Sequence, residues 1–530
     1  MAFWILYRLA VAQTHRGCGQ SDDGGCESYK PANSASTTAQ LYRKNTSIEE
    51  ENARLAGCRE VVLQYAEALG FIARECISRD ELEKLIDHGI QPNHLAWEIQ
   101  RRSDRKPGVM LGHLPQPTGK GIPVKLPHSL RDRHRYIIGR SGSGKTNLIR
   151  LMALQDIRDG HGIGMLAPEQ ELVTEEILPY IPADRIDDVM YFTPADTVNP
   201  LPLNPLFLDD DADIDLTVDD NLTGFKRLMG ETQPRMGEIL GQSLYALVER
   251  PGSPLLDVDR LLSRTDDVLR KEIIRTITDE QTRYFFESTY PSFPTDAHLP
   301  IVTRINRLVR PRTVRNLLCQ PGTSLHFREA MDAGKIFLFN LSDGIIGEQT
   351  SHLLGQQVVS KIQMATMSRM NTPAAKRRPF YLYLDEFQTF TGVAETFYKK
   401  MLSRARKYKL CLILAHQQTG QLTKNILAEI FGNVTTFIAF SVAYADAMRL
   451  SQHYIVHMGG QKRPLPTEEF VHQKVGEAIG KIGETVFPLR TPLVPQTPTS
   501  RLSEYIIERS ARHYGLPPSA DRRDSSSRHT

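Results

Sequence analysis

The stretch Gly139-Arg140-Ser141-Gly142-Ser143-Gly144-Lys145-Thr146 limits what this chain can fold into more than any other. It fits G-x-x-x-x-G-K-[ST], a phosphate-binding pattern that needs a strand before the turn and a helix after it. Both flanks qualify. Tyr136-Ile137-Ile138 is a short apolar run of strand type, and Asn147 to Leu154 has apolar residues at helical spacing. Glycines let such a turn aim successive backbone N–H groups at phosphate oxygens, and the helix start adds partial positive charge. Lys145 is placed to reach the β- and γ-phosphates, and the Thr146 hydroxyl to ligate Mg²⁺. The cofactors expected are therefore ATP and Mg²⁺.

A chain of 530 residues has room for two to four domains. Its net charge of +3 is too small to argue for nucleic acid, so that case rests on local charge. The cysteines Cys18, Cys26, Cys58, Cys76, Cys319 and Cys411 include no Cys-x-x-Cys pair and no histidines at zinc spacing. Reduced thiols in a cytoplasmic setting are the expectation. No run approaches the ~18 apolar residues that span a bilayer. The opening apolar run Met1 to Tyr7 stops at Arg8 with no basic region ahead of it, unlike a signal peptide. No intrinsic membrane span is expected.

Along the chain, residues 1–47 read as a disordered extension, poor in large apolar side chains beyond the first few. Residues 48–106 read as a small helical module, with a capping box at Ser78-x-x-Glu81. The first half of an α/β core follows over 107–207, with strands near Val124, at Tyr136–Ile138, His161–Ala167 and Val189–Phe192. The basic cluster Arg131, Arg133, His134, Arg135 is either a solvated sheet edge or a phosphate-touching patch. Residues 208–330 read as an all-helical insert; the acidic run from Asp209 lacks the glycine and distal glutamate of a calcium loop. The core resumes over 331–492. Lys335–Leu341, Phe380–Leu384, Leu410–Leu414 and Thr435–Phe440 are apolar runs of the kind buried on both faces of a parallel sheet. Glu484–Pro488 is expected at an edge, since proline cannot donate to a central ladder. A Pro-rich linker, one helix and a polar tail occupy 493–530.

Leu384-Asp385-Glu386 closes one apolar run and fits Walker B. Asp385 at the strand end can hold the Mg²⁺ shell, and Glu386 can orient and deprotonate the attacking water. The plainer account is an Asp-Glu that caps the next helix. Ser403 to Tyr408 closes a helix before the next strand. Its cations suit the helix dipole, or Arg406 serves a neighbouring subunit as an arginine finger. Gln417 follows that strand at its carboxyl end, where ligands of α/β sheets sit. There it can sense the γ-phosphate or the attacking water. His416 is given no catalytic role.

Leu384-Asp385-Glu386-Phe387-Gln388, Ala405-Arg406-Lys407-Tyr408, Ala415-His416-Gln417, Gln421-Leu422 and Phe431-Gly432-Asn433-Val434 together resemble the motor region of conjugative coupling proteins. These are the type IV secretion DNA-transfer ATPases of the TraG/TraD kind, within the HerA–FtsK superfamily. The likeness covers roughly residues 108 to 515. It implies a RecA-like P-loop NTPase core with a parallel-type sheet, an inserted all-helical domain and a small helical N-terminal module. It also implies a DNA-translocating homo-hexamer in which Lys145, Thr146, Asp385, Glu386, Arg406 and Gln417 hold the functional positions. A relaxase or secretion-system component is the further partner implied, and the expected location is cytoplasmic, as a soluble relative or one recruited by a partner to the inner face of the membrane. Two departures stand out. Ala167-Pro168-Glu169-Gln170-Glu171 replaces an Asp-Pro-His-Gly-Asp-like turn of many relatives, and the N-terminal membrane helices of coupling proteins are missing.

For DNA, Arg304, Arg307 and Arg310 at i, i+3, i+6 are expected to share a helix face until Pro311. That face either lines a pore and grips phosphates without sequence preference or is a surface helix paired with acids. Lys399, Lys400, Arg404 and Lys407 are a second patch. The leading expectation is an ATP-driven DNA translocase. The alternatives are a related motor for DNA processing or protein delivery, a non-hydrolysing nucleotide-gated scaffold, and a structural interaction protein.

Overall fold

The computed structural model describes residues 108–515, apart from short segments at 116–120, 195, 197–198, 209–212, 229–233, 266, 321–324, 391–394, 459–460 and 495–500. The expected extension 1–47, the expected module 48–106, residues 209–212 of the acidic run and the polar tail beyond 515 lie outside the described residues. The chain divides into two compact units. One comprises Met1–Arg131, Ile137–Leu148 and Thr435–Leu493; the other comprises Asp132–Tyr136, Ile149–Val434 and Val494–Thr530.

In the first unit, β1 (Val109–Leu114), β2 (Ile122–Leu126), β9 (Thr436–Ala439), β12 (Glu477–Ile482) and β13 (Thr485–Arg490) lie in the order β2-β1-β13-β12-β9. Every pairing among them is antiparallel. A separate hairpin joins β10 (Ile455–Met458) to β11 (Gln461–Pro464). β13 corrects the expectation of an edge strand, because it pairs with β12 on one side and β1 on the other. Pro488 is tolerated there for a physical reason. β1 meets β13 at the pair His113–Arg490, two residues beyond Pro488, so no ladder donor is required of the proline on that side. The strand β3 (Arg135–Ile138) is buried throughout and runs into the Gly139–Thr146 loop. At its end the Phe440 N–H donates to the Ile138 carbonyl at 2.8 Å.

The second unit holds β4 (Gly162–Ala167), β5 (Val189–Phe192), β6 (Ile336–Asn340), β7 (Phe380–Leu384) and β8 (Leu410–His416), in the order β8-β7-β4-β6-β5. All four pairings are parallel. All residues of these strands are buried, which explains their unbroken apolar sequences. Parallel neighbours need crossovers, and the helices Glu348–Met367 and Glu395–Arg404 supply those into β7 and β8. Between β5 and β6 the described residues form helices and no strand, among them Ile214–Leu228, Pro234–Glu249 and Leu299–Leu308. The architecture is α/β. Parallel strands alternate with helices in one unit, and the Gly139–Thr146 loop lies in the other with an antiparallel set. Its strands near Val124, at Thr435–Phe440 and at Glu484–Pro488 were expected, but Thr435–Phe440 was expected in a parallel sheet and instead pairs antiparallel with β12.

The approach to β3 carries one pH-sensitive group. His134 accepts the Leu412 N–H on Nδ1 at 3.0 Å. Burial, reinforced by the nearby Arg406 and Arg135 guanidiniums and opposed by a backbone hydrogen bond at Leu402, pushes its pKa down to about 4. The unfolded chain therefore takes up a proton near pH 6.5 that the folded one refuses. His134→Asn keeps an acceptor for Leu412 and removes the titration. Between pH 6.5 and 4 the wild type should lose up to ~3 kcal/mol of stability relative to this variant. Urea titrations of both proteins across that range check it; parallel losses would contradict it.

Candidate functional site

In the first unit the Gly139–Thr146 loop is clasped by two other segments. The Arg140 N–H donates to Ser441 O at 2.8 Å, and the Gly476 N–H donates to Ser143 O at 2.9 Å. Two positions in the turn need glycine. Gly142 has φ +70° and Gly144 has φ +115°, conformations that let neighbouring N–H groups point to one side. At Gly144 a Cβ would also stand 3.2 Å from both Gly476 N and Phe440 Cε1. The helix Lys145–Arg158 begins directly on the loop, so its N-terminal partial charge lies behind the turn. Lys145 is 5% exposed and folds back, its Nζ donating to the carbonyls of Gly139 at 2.8 Å and Arg140 at 3.3 Å. Ser141 and Gly142 are exposed at the rim, and Thr146 is half-buried. The loop thus presents N–H donors, an ammonium aimed at oxygens and an accessible hydroxyl. That donor set fits a phosphate chain with its metal.

In the second unit the strand register builds the other constellation. Leu166 of β4 and Leu414 of β8 both lie level with Leu384 of β7, so the carboxyl ends of the three strands coincide. Asp385 follows at once, 5% exposed, with its N–H on the Leu166 carbonyl at 3.1 Å. Glu386 takes the left-handed conformation, φ +45°, rare for a side chain of its type. Its N–H is held by Asp385 Oδ1 at 3.0 Å. Its carboxylate accepts from Gln417 Nε2 at 2.9 Å on one oxygen and from Gln388 Nε2 at 2.6 Å on the other. Glu386 and Gln417, 31 residues apart in sequence, therefore form one group. His416 is fully buried between Tyr136 and Phe387, with ring centroids 5.2 and 5.1 Å away, and hydrogen-bonds the Tyr136 hydroxyl. Packing accounts for it. Gln388 appears in the sequence only as a motif letter. A signal for it existed in an amide two residues after an acid at a strand end, but only the backbone reversal at Glu386 makes the two meet.

Arg406 lies elsewhere in this unit. It is exposed on the turn Ala405–Tyr408, ahead of β8, whereas Gln417 follows the end of β8. Seven strand residues at about 3.3 Å each separate those ends by about 20 Å. Within one chain, Arg406 is not brought to Glu386. The turn Ala167 to Glu171 continues from β4, with Glu169, Gln170 and Glu171 exposed.

The basic run is rearranged relative to expectation. The helix Leu299–Leu308 ends before Arg310, because Pro311 restricts the residue preceding it and starts the next helix instead. Arg304, Arg307 and Arg310 do not share one helix face. Arg304 is half-buried, with Nη1 donating to Met236 Sδ at 2.9 Å, while Arg307 and Arg310 are exposed. Lys400, Arg404 and Lys407 of the second patch are exposed, and Lys399 is half-buried.

The loop geometry makes a direct prediction. Gly144→Ala imposes a strained backbone and a close contact with the Gly476 segment, so Mg·ATP binding should weaken by at least ~tenfold. Titration with a fluorescent ATP analogue checks this, with a melting curve to verify the fold. Unchanged affinity would contradict the geometry.

No protein-family model matches the sequence, and no curated protein matches it. Several solved structures do resemble the fold at low identity. The plasmid coupling protein TrwB in complex with the non-hydrolysable ATP analogue ADPNP is 14% identical, over 76% of this chain and 94% of that one, with a TM-score of 0.49. VirB4 of Thermoanaerobacter pseudethanolicus is 16% identical over 73% of this chain and 97% of that one, also with a TM-score of 0.49. The cytoplasmic domain of the Thermomonospora curvata type VII secretion ATPase EccC is 11% identical over 74% of this chain and 27% of that one, with a TM-score of 0.31.

Proposed function

We propose that this chain is an ATP-hydrolysing motor that translocates DNA, of the conjugative coupling-protein type. One observation carries the hydrolytic part of this reading. Glu386, next to Asp385 at a strand's carboxyl end, is held through both carboxylate oxygens by Gln417 and Gln388. An acid that merely capped a helix would have no need of that arrangement. The Gly139–Thr146 loop supplies the complementary requirement, a phosphate cradle with a lysine.

In this mechanism the backbone N–H groups from Ser141 to Thr146 and the Lys145 ammonium bind the phosphates and neutralise their charge. Mg²⁺, when bound, adds Lewis-acid stabilisation of the transferring phosphoryl group, and Thr146 and Asp385 are the residues that would hold it. Glu386 orients a water and accepts its proton, and Gln417 fixes the carboxylate and that water. Since Arg406 stands at the far end of its own strand, it acts on a neighbouring subunit's nucleotide, in a homo-hexameric ring. DNA is gripped by its phosphates without sequence preference, by exposed cations such as Arg307 and Arg310. A relaxase or secretion-system component delivers the cargo at the cytoplasmic face of the membrane. No helix among the described residues is long and apolar enough to cross that membrane.

Purified protein should turn over ATP, and faster with DNA of unrelated sequences. Glu386→Gln should cut turnover by ~100-fold or more while still binding Mg·ATP, and Lys145→Ala should lose the binding itself. Steady-state ATPase and nucleotide titrations, with oligomer mass measured in the same buffer, check these outcomes. Undiminished turnover in Glu386→Gln would remove it from the catalytic role. Turnover indifferent to DNA would remove DNA as the cargo.

A further inference from the structure

Glu386 has two amide partners, and only one of them, Gln417, comes from the position where sequence reasoning looks for a sensor. The other, Gln388, sits on the short turn Phe387–Phe390 that follows the acid. That turn is firmly seated. The Thr389 N–H closes it on Glu386 O at 2.9 Å. Phe387 is buried and packs edge-on to His416 with centroids 5.1 Å apart. Phe390 is buried so tightly against Gly355 that a Cβ there would stand 2.2 Å from its ring. Gln388 thus lies between two anchored aromatic residues and has little freedom to turn away. A carboxylate only accepts hydrogen bonds, so the amide nitrogen, not the oxygen, must face Glu386.

The left-handed backbone at Glu386 completes the arrangement. With φ +45° the chain reverses at the acid, and a side chain two residues on can meet its carboxylate, as Gln388 Nε2 does at 2.6 Å. On an ordinary helix residues i and i+2 do not face each other, and along a strand they share a face but stand about 6.6 Å apart. A backbone conformation this unusual persists only where its surroundings over-determine it, and such strain gathers at functional sites. The carboxylate plane is fixed from two sides, by one donor on its own turn and one beyond the end of β8.

We propose that Gln388 is a positioning residue for hydrolysis, aiming the Glu386 carboxylate at the attacking water in concert with Gln417. This rests on the reading of Glu386 as the residue that activates water. Positioning is consequential here, because a misplacement of about 1 Å at a reacting group costs on the order of a hundredfold in rate. A carboxylate that loses the Gln388 donor should lose part of that.

The test is a double-mutant cycle on the full chain, read as single-turnover ATP hydrolysis. Gln388→Met keeps the length of the side chain and removes the donor. It should lower the hydrolysis rate by about tenfold while leaving the affinity for Mg·ATP unchanged. In the Glu386→Gln background the same substitution should change the residual rate little, because it has no carboxylate left to aim. Gln388→Ala serves as a second variant should the methionine fail to fold, and a melting curve accompanies each. A full-rate Gln388→Met protein would overturn the assignment, and so would equal losses in both backgrounds, which would make the role merely structural. Turnover that survives Glu386→Gln would instead overturn the water-activating role of Glu386, and the role of Gln388 with it.

Discussion

The parallel hydrogen-bonded ladder through β4, β7 and β8 is the constraint on which the chemistry depends. Its register levels Leu166, Leu384 and Leu414. Whatever follows those residues in sequence is therefore delivered to one end of the sheet. A slip of one residue in β8 would turn its side chains to the opposite face and carry Gln417 away from Glu386. The buried apolar faces of the five parallel strands oppose that slip, since exposing one of their leucines or phenylalanines costs roughly 1.5–3 kcal/mol. Core packing far from the acid pair in sequence thereby fixes the geometry of that pair.

Each unit carries left-handed backbone at its candidate residues. Gly142 and Gly144 carry the positive φ angles of the phosphate loop at little cost, because glycine has no Cβ. Glu386 pays about 1–2 kcal/mol for the same handedness. Hydrogen bonds to a charged group contribute about 1.5–3 kcal/mol each, so the two glutamine amides outweigh that cost. The phosphate loop has its own reinforcement, with Arg140 tied to Ser441 and Gly476 tied to Ser143. In both places the surroundings supply what the local sequence alone would not hold.

Much of this was legible in the sequence, and the remainder has physical reasons for escaping it. The runs at Val189–Phe192, Phe380–Leu384 and Leu410–Leu414 announced themselves because strands buried on both faces must be apolar throughout. Of the antiparallel set, β2, β9 and β13 were legible as strands, but β12, interrupted by Gly480, was not, and neither was the hairpin strand β11 (Gln461–Pro464), exposed at every residue. The Gly139–Thr146 turn between a strand and a helix, and Asp385-Glu386 at a strand end, were readable as patterns of residue type. Gln388 was not, because its meeting with Glu386 depends on a backbone reversal that no spacing rule anticipates. Arg304 escaped for the reverse reason, since helical spacing says nothing about a neighbour such as Met236 drawing a cation inward.

The proposed mechanism requires a single metal ion to serve both the Thr146 hydroxyl and the Asp385 carboxylate. The most direct measurement is an experimental structure of the Glu386→Gln chain with Mg·ATP. The expected result is Mg²⁺ at about 2.0–2.1 Å from Thr146 Oγ1, with Asp385 bonded to the ion or to one of its waters. A magnesium ion bound through Thr146 with Asp385 out of reach of its hydration shell would contradict it.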